Sequence, residues 1–176
     1  MGFHVSWIAS RGKPAHQIFE EIGLREAPRK EQFPQSEVTS VLLPSGWLIV
    51  FFNDSWPEEL EGENLERLSE GAELMAFVAE EGTMFSLSLG YVDGEHVWTI
   101  THDSNQGLEH LEVEGEPPSE FAAIRDRLAR SLEEDQDPCD YLFDAPPELS
   151  KAVTGFRHDK RIQGIEGDAF TVLERT

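Results

Sequence analysis

The strongest constraint in this chain is the stretch Met84 to His102. Phe85, Leu87, Leu89 and Tyr91 alternate with Ser86, Ser88 and Gly90. That is the two-residue period of a strand with one face buried. Asp93-Gly94 follows at once. Both central residues of a type I′ turn need positive φ, which makes this pair a strong hairpin signal. Glu95 to His102 then resumes the extended pattern. A chain that holds such a hairpin is committed to antiparallel sheet, and the remaining segments are read as what surrounds it.

Six further segments extend the pattern. Phe3 to Ala9 alternates, and Glu37 to Leu43 is rich in β-branched residues. The turn Pro44-Ser45-Gly46 links it to Trp47–Asn53, whose run is apolar on both faces and is therefore expected to lie centrally. Leu74 to Ala79 is a strand closed by the turn Glu81-Gly82. Leu108–Glu114 and Ala169–Leu173 read as shorter strands. Glu26 to Ser36, with two prolines, reads as loop.

Helices fit between these segments. Pro14 can open one that buries Ile18, Phe19 and Ile22 and stops at Gly23. A short one around Asn64–Glu70 turns Leu65 and Leu68 inward. After Pro117-Pro118-Ser119, Phe121, Ile124, Leu128 and Leu132 fall on one stripe, with Arg125, Asp126, Arg127 and Arg130 opposite. Glu148–Thr154 is a short helix ended by Gly155, preceded by a loop with a brief extended stretch at Tyr141–Phe143. The expected class is α+β: one domain over residues 1–176, a mainly antiparallel sheet of about six strands, and three to four helices packed on it.

Charge narrows the partners. The 176 residues carry 35 Asp and Glu against 14 Lys and Arg, a formal net charge of −21. With 39% hydrophobic residues there is still enough apolar surface for a core, so the charge does not imply disorder. It argues against direct nucleic-acid binding, which rests on Lys and Arg neutralising phosphates. The distribution is uneven. Residues 31–124 hold 20 acidic residues and one basic residue, Arg67. Asp54 to Glu73 is the densest part, with eight carboxylates. By contrast, Lys151 to Arg161 carries Lys151, Arg157, Lys160 and Arg161 against Asp159 alone. No apolar run approaches the roughly 20 residues a membrane helix needs, and Met1–Ser10 lacks the pattern of a secretory leader. A cytoplasmic location and no membrane partner are therefore expected.

Motifs for chemistry are sparse. The six histidines include no HExxH pair, and one cysteine excludes a Cys-rich zinc site, so neither metal nor cofactor is expected. Cys139 sits between Asp137 and Asp140, and flanking carboxylates raise a thiol pKa and blunt it as a nucleophile. No GxSxG elbow, Walker A loop, GxGxxG fingerprint or calcium-loop spacing is present. His96 and His102 would share one face of a straight strand, each at a strand end and partly exposed, too far apart to share a metal. A proton-transfer role for His102 would need a carboxylate from elsewhere, with Asp93 or Asp54 the candidates.

The leading expectation is a non-catalytic acidic protein that engages a basic protein partner. An inhibitor or immunity protein of a nucleic-acid-processing toxin is one concrete form, and a DNA mimic is a variant. The alternative is a small hydrolase or transferase using His102 with a nearby carboxylate. The expected partner-binding residues are Asp54, Trp56, Glu58, Glu59, Glu61 and Glu63, where dense negative charge surrounds a tryptophan in a loop. No catalytic residue is assigned, and the oligomeric state is left open.

Overall fold

The computed structural model describes residues 2–176. Nine strands form one sheet in which every neighbouring pair is antiparallel. They are β1 (His4–Arg11), β2 (Leu24–Glu31), β3 (Val38–Leu42), β4 (Leu48–Phe52), β5 (Glu73–Glu80), β6 (Phe85–Val92), β7 (Glu95–Asp103), β8 (Glu112–Gly115) and β9 (Phe170–Arg175). Their order across the sheet is β2-β9-β3-β4-β1-β5-β6-β7-β8. The helices are α1 (Ala15–Glu21), α2 (Gly62–Ser69), α3 (Phe121–Glu134) and α4 (Ala145–Thr154).

The central strands are apolar on both sides because helices cover both sides. On one face Trp7, Phe51, Phe77 and Ile100 pack with Phe121, Ile124 and Leu128 of α3 and Leu149 of α4. A buried hydrogen bond from Trp7 Nε1 to Ser150 Oγ, 2.9 Å long, fixes α4 over β1. On the other face Ile8, Val50 and Leu74 meet Ile18 and Phe19 of α1 and Leu65 and Leu68 of α2. With seven and eight residues, α1 and α2 are too short to persist on backbone hydrogen bonding alone. Each fully buried Leu or Ile contributes roughly 1.5–3 kcal/mol, so the apolar stripe holds them.

The sheet has nine strands, not about six, and the difference lies at its margins. β2 falls partly in the segment read as loop. Pro28 cannot donate to a ladder, but β2 is an edge strand and its pairing with β9 shifts register between Glu26 and Lys30, where the proline is accommodated. At the other edge all four β8 residues are exposed and two are glutamates, which discourages edge-to-edge association. Pro146 and Pro147 lie in the first turn of α4, where a missing N–H costs little, so that helix starts earlier than expected. Tyr141–Asp144 is a 3-10 turn rather than extended chain.

The Asp93-Gly94 hairpin forms as expected, with φ of 49° and 81° at its two central residues. Tyr91 of β6 is buried as expected, but along the rest of the strand the depth is the reverse of the expectation. Ser86, Ser88 and Gly90 are buried on the α3–α4 side, whereas Phe85, Leu87 and Leu89 on the opposite side are half-buried. Small side chains let the 3-10 turn approach closely, and the Ser86 hydroxyl donates to the Phe143 carbonyl at 2.8 Å. The register of β6 against β7 shifts between Gly90 and Tyr91, pairing Trp98 with Gly90 and His96 with Tyr91. That bulge at Val97 reverses the parity of the strand, so His96 and His102 point to opposite faces.

Candidate functional site

β4 runs out at Phe52, and the chain then turns over one end of the sheet. Asn53 Nδ2 donates to the carbonyls of Pro34 and Ser36, at 3.0 and 2.6 Å. The Ser6 hydroxyl donates to the Asp54 carbonyl at 2.7 Å, and the buried Ser55 hydroxyl donates to Glu80 Oε2 at 2.8 Å. Asp54 Oδ1 accepts from the Trp56 N–H at 3.0 Å, the short-range side-chain turn that aspartate favours. The backbone under Trp56 is therefore held from β1, from β5 and from the loop between β2 and β3. Its indole leans on Phe85 of β6, with ring centroids 5.6 Å apart, and remains 57% exposed. Glu58, Glu61 and Glu63, which follow it in the chain, are exposed and make no ion pair among the described residues.

Glu59 is placed differently from its neighbours. It is 4% exposed, and its carboxylate turns inward to accept a hydrogen bond from Arg175 Nη1 on β9. Arg175 also reaches Glu37 at 3.3 Å. The Glu59 hydrogen bond is the main cause that raises the Arg175 pKa above its usual range, against partial desolvation. Glu59 thus ties the 3-10 turn Glu58–Leu60 to β9, whereas the other five expected residues are exposed: Asp54 and Trp56 in the loop, Glu58 and Glu61 at the 3-10 turn, and Glu63 in the first turn of α2.

His102 is fully buried, not partly exposed at a strand end. Its acid is neither Asp93 nor Asp54. Asp93 accepts from the Gly71 N–H at 2.9 Å, and Asp54 caps its own loop. The carboxylate at His102 Nε2 is Asp140, at 2.7 Å, in a contact too poorly aligned for a hydrogen bond. Nδ1 donates to the His110 carbonyl at 2.6 Å. His110 Nδ1 in turn accepts from the Asp103 N–H at 2.9 Å. Both ring nitrogens of His102 face acceptor oxygens inside the protein. This arrangement fastens the loop carrying Asp140 to the sheet and presents no open nitrogen to a substrate. Cys139 is exposed next to it, and the Tyr141 hydroxyl donates to Asp135 at 2.6 Å, which raises the tyrosine pKa.

The basic stretch near the C-terminal end divides into two roles. Arg157 is buried and bonds Asp159 at 2.6 Å and Asp144 at 2.8 Å, anchoring the segment to the start of α4. Burial works against its charge, but Asp159 and Asp144 hold its pKa above the usual value. Lys160 and Arg161 are exposed instead. They border a cavity of about 550 Å3 that also takes in Phe3, Phe33, Phe51 and His158. The sequence marks this basic run, but the residues it meets come from three distant segments and carry no joint signal.

Among the described residues, no three His, Cys, Asp or Glu side chains stand close enough to hold a metal ion. No helix is long and apolar enough to cross a membrane. Compared with protein-family models, curated proteins and solved structures, the chain matches none of them.

Proposed function

We propose that the protein is a non-catalytic binding protein that engages a basic macromolecular partner at the end of the sheet where the loop after β4 turns. Trp56 is the apolar anchor, and Asp54, Glu58, Glu61 and Glu63 supply the surrounding negative field. The observation that carries the reading is a tryptophan 57% exposed on a loop pinned by β1, β5 and its own aspartate. A large side chain held rigid in solvent loses little entropy when a partner covers it, and Trp is enriched among interface hot spots. The carboxylates around it speed encounter with a cationic surface. An inhibitor or immunity protein that masks the basic groove of a nucleic-acid-processing toxin fits this chemistry. A DNA mimic would use the same charges. Glu59 belongs to the support of the loop rather than to the contact.

The test is capture of partners from native lysate by the wild-type chain and by the triple reversal of Glu58, Glu61 and Glu63 to Lys. A basic protein retained by the first and lost by the second supports the reading. A captured partner that is not basic, or retention unchanged by the reversal, overturns it. The enzymatic alternative has less support, because His102 is fully buried, with Nδ1 bonded to the His110 carbonyl and Nε2 turned toward Asp140.

A further inference from the structure

We propose that the cavity beside the basic segment is a binding site for a small organic anion with a flat apolar body, its charge met by Lys160 and Arg161. The site lies between the β2–β3 loop, the chain before β1 and the segment after α4. Its volume of about 550 Å3 falls within the roughly 300–1,000 Å3 of small-molecule pockets.

Three features of the lining agree. The first is apolar surface. Phe51, Phe156 and Phe170 are buried aromatic side chains that line the cavity, while Phe33 remains 54% exposed on its wall. A bulky phenylalanine left in water beside a concave apolar surface is what a ligand would cover.

The second is charge. In a chain of net charge −21, Arg157, Lys160 and Arg161 gather on one cavity. Arg157 is committed to Asp144 and Asp159. Lys160 and Arg161 form no ion pair among the described residues, although acidic side chains outnumber basic ones more than twofold. Glu166 also borders the cavity, so the field is mixed on that side. Two free cations favour one anionic group. The acidic surface beyond them opposes a polyanion such as nucleic acid.

The third feature is His158. Its side chain is 1% exposed, it lines the cavity, and neither ring nitrogen has a hydrogen-bond partner. The nearest charged oxygen, Glu81 Oε1, stands 3.8 Å from Nε2, too far for a hydrogen bond. Phe3 and Trp7 pack on the ring, with centroids 4.9 and 5.4 Å away. Buried polar groups are normally paired, so an orphaned imidazole at a cavity marks a place where a ligand atom completes the bonding. Burial lowers the His158 pKa, with the charges of Asp159 and Glu81 opposing and that of Arg157 assisting. The ring is then neutral near pH 7 and offers one donor and one acceptor.

The probe is 8-anilinonaphthalene-1-sulfonate, an anion on flat apolar rings, with neutral N-phenyl-1-naphthylamine as its uncharged counterpart. Fluorescence titration of the full chain should give saturable one-site binding of the sulfonate. The exposed-residue variant K160Q/R161Q should weaken it about tenfold while leaving the neutral compound within about twofold. The His158 imidazole resonances should move on addition of the sulfonate. Trp56→Ala should leave its affinity unchanged, which separates this site from the partner surface. Equal loss of both compounds in K160Q/R161Q with an unchanged melting temperature, an affinity for the sulfonate unmoved by that variant, or static His158 resonances each overturn the proposal.

Discussion

Trp98 lies against Gly90 across the β6–β7 pair, so closely that a methyl group on Gly90 would stand 2.6 Å from the indole Cδ1 and nearer still to Nε1. The indole is buried and belongs to the same cluster as Phe121 and Ile124. Gly90 is there because the ring occupies the space of its side chain, not because the turn needs a flexible residue.

Gly90→Ala should therefore destabilise the fold by about 2 kcal/mol or more, since the rigid ring has no free volume to enter. Gly71 makes the contrast. Its φ is +68° and nothing lies within 4 Å of an added Cβ, so alanine there meets only backbone strain, about 1 kcal/mol. Denaturant unfolding of the two variants measures the difference. Equal losses would show that Trp98 yields.

Glu59→Gln should lower stability by about 1 kcal/mol, because it leaves Arg175 without its closest counter-charge in a partly exposed pair. Glu58→Gln should stay within about 0.5 kcal/mol of the wild type, since its side chain is exposed. Thermal unfolding of both variants checks this. A silent Glu59→Gln would remove the strut assigned to that residue.

The pH dependence has a defined sign at His158. Its pKa in the folded protein lies below the ordinary value near 6.5, chiefly through burial. Between the two values the unfolded chain binds more protons, so the folded form is favoured as pH rises. The contribution is complete above about pH 6.5 and is lost as pH falls below it. The whole-chain charge acts the other way, because approach to the isoelectric point near 4.5 relieves repulsion. The measurement is therefore a difference: melting temperatures of wild type and His158→Phe from pH 8 to 5. The wild type should lose ground relative to the variant on acidification, and parallel curves would contradict a buried neutral imidazole.

Ionic strength tests the cost of the −21 charge directly. Arg11–Glu73 and Arg25–Glu174 are exposed pairs of the kind worth little. Screening should therefore weaken repulsion more than attraction. The melting temperature should rise from about 0.01 M to 0.15 M salt, as the Debye length shrinks from about 30 to 8 Å. A flat or falling midpoint would mean that local pairs balance the global charge.

Local signals in the sequence predict local structure well. The Asp93-Gly94 turn, the Phe121–Leu128 stripe of α3 and the central place of β4 in the sheet all follow from short-range pattern. The departures have long-range causes. Pro28 looks like a breaker until β2 is known to be an edge strand. The serine side of β6 is the deeper one because the 3-10 turn before α4 packs on it. His102 finds Asp140 rather than Asp93 or Asp54 because tertiary packing selects the acid. The exposed loop around Trp56 was legible from its composition. The inward turn of Glu59 was not, since its partner lies 116 residues away.

The proposed partner surface should separate charge from anchoring. Asp54, Glu58, Glu61 and Glu63 are exposed with Trp56, so a cationic partner feels them before contact and Trp56 only after it. Reversing Glu58, Glu61 and Glu63 to Lys should slow association and flatten its salt dependence, with little change in dissociation. Trp56→Ala should leave association nearly unchanged and speed dissociation, at a cost of about 2 kcal/mol for a true hot spot. The Trp56 ring rests on Phe85 and is mostly in solvent, so its removal should spare the fold. Surface-binding kinetics with the captured partner at two salt concentrations resolve the two effects. If the lysine reversal acts on dissociation alone, or Trp56→Ala changes neither rate, the contact lies elsewhere on the molecule.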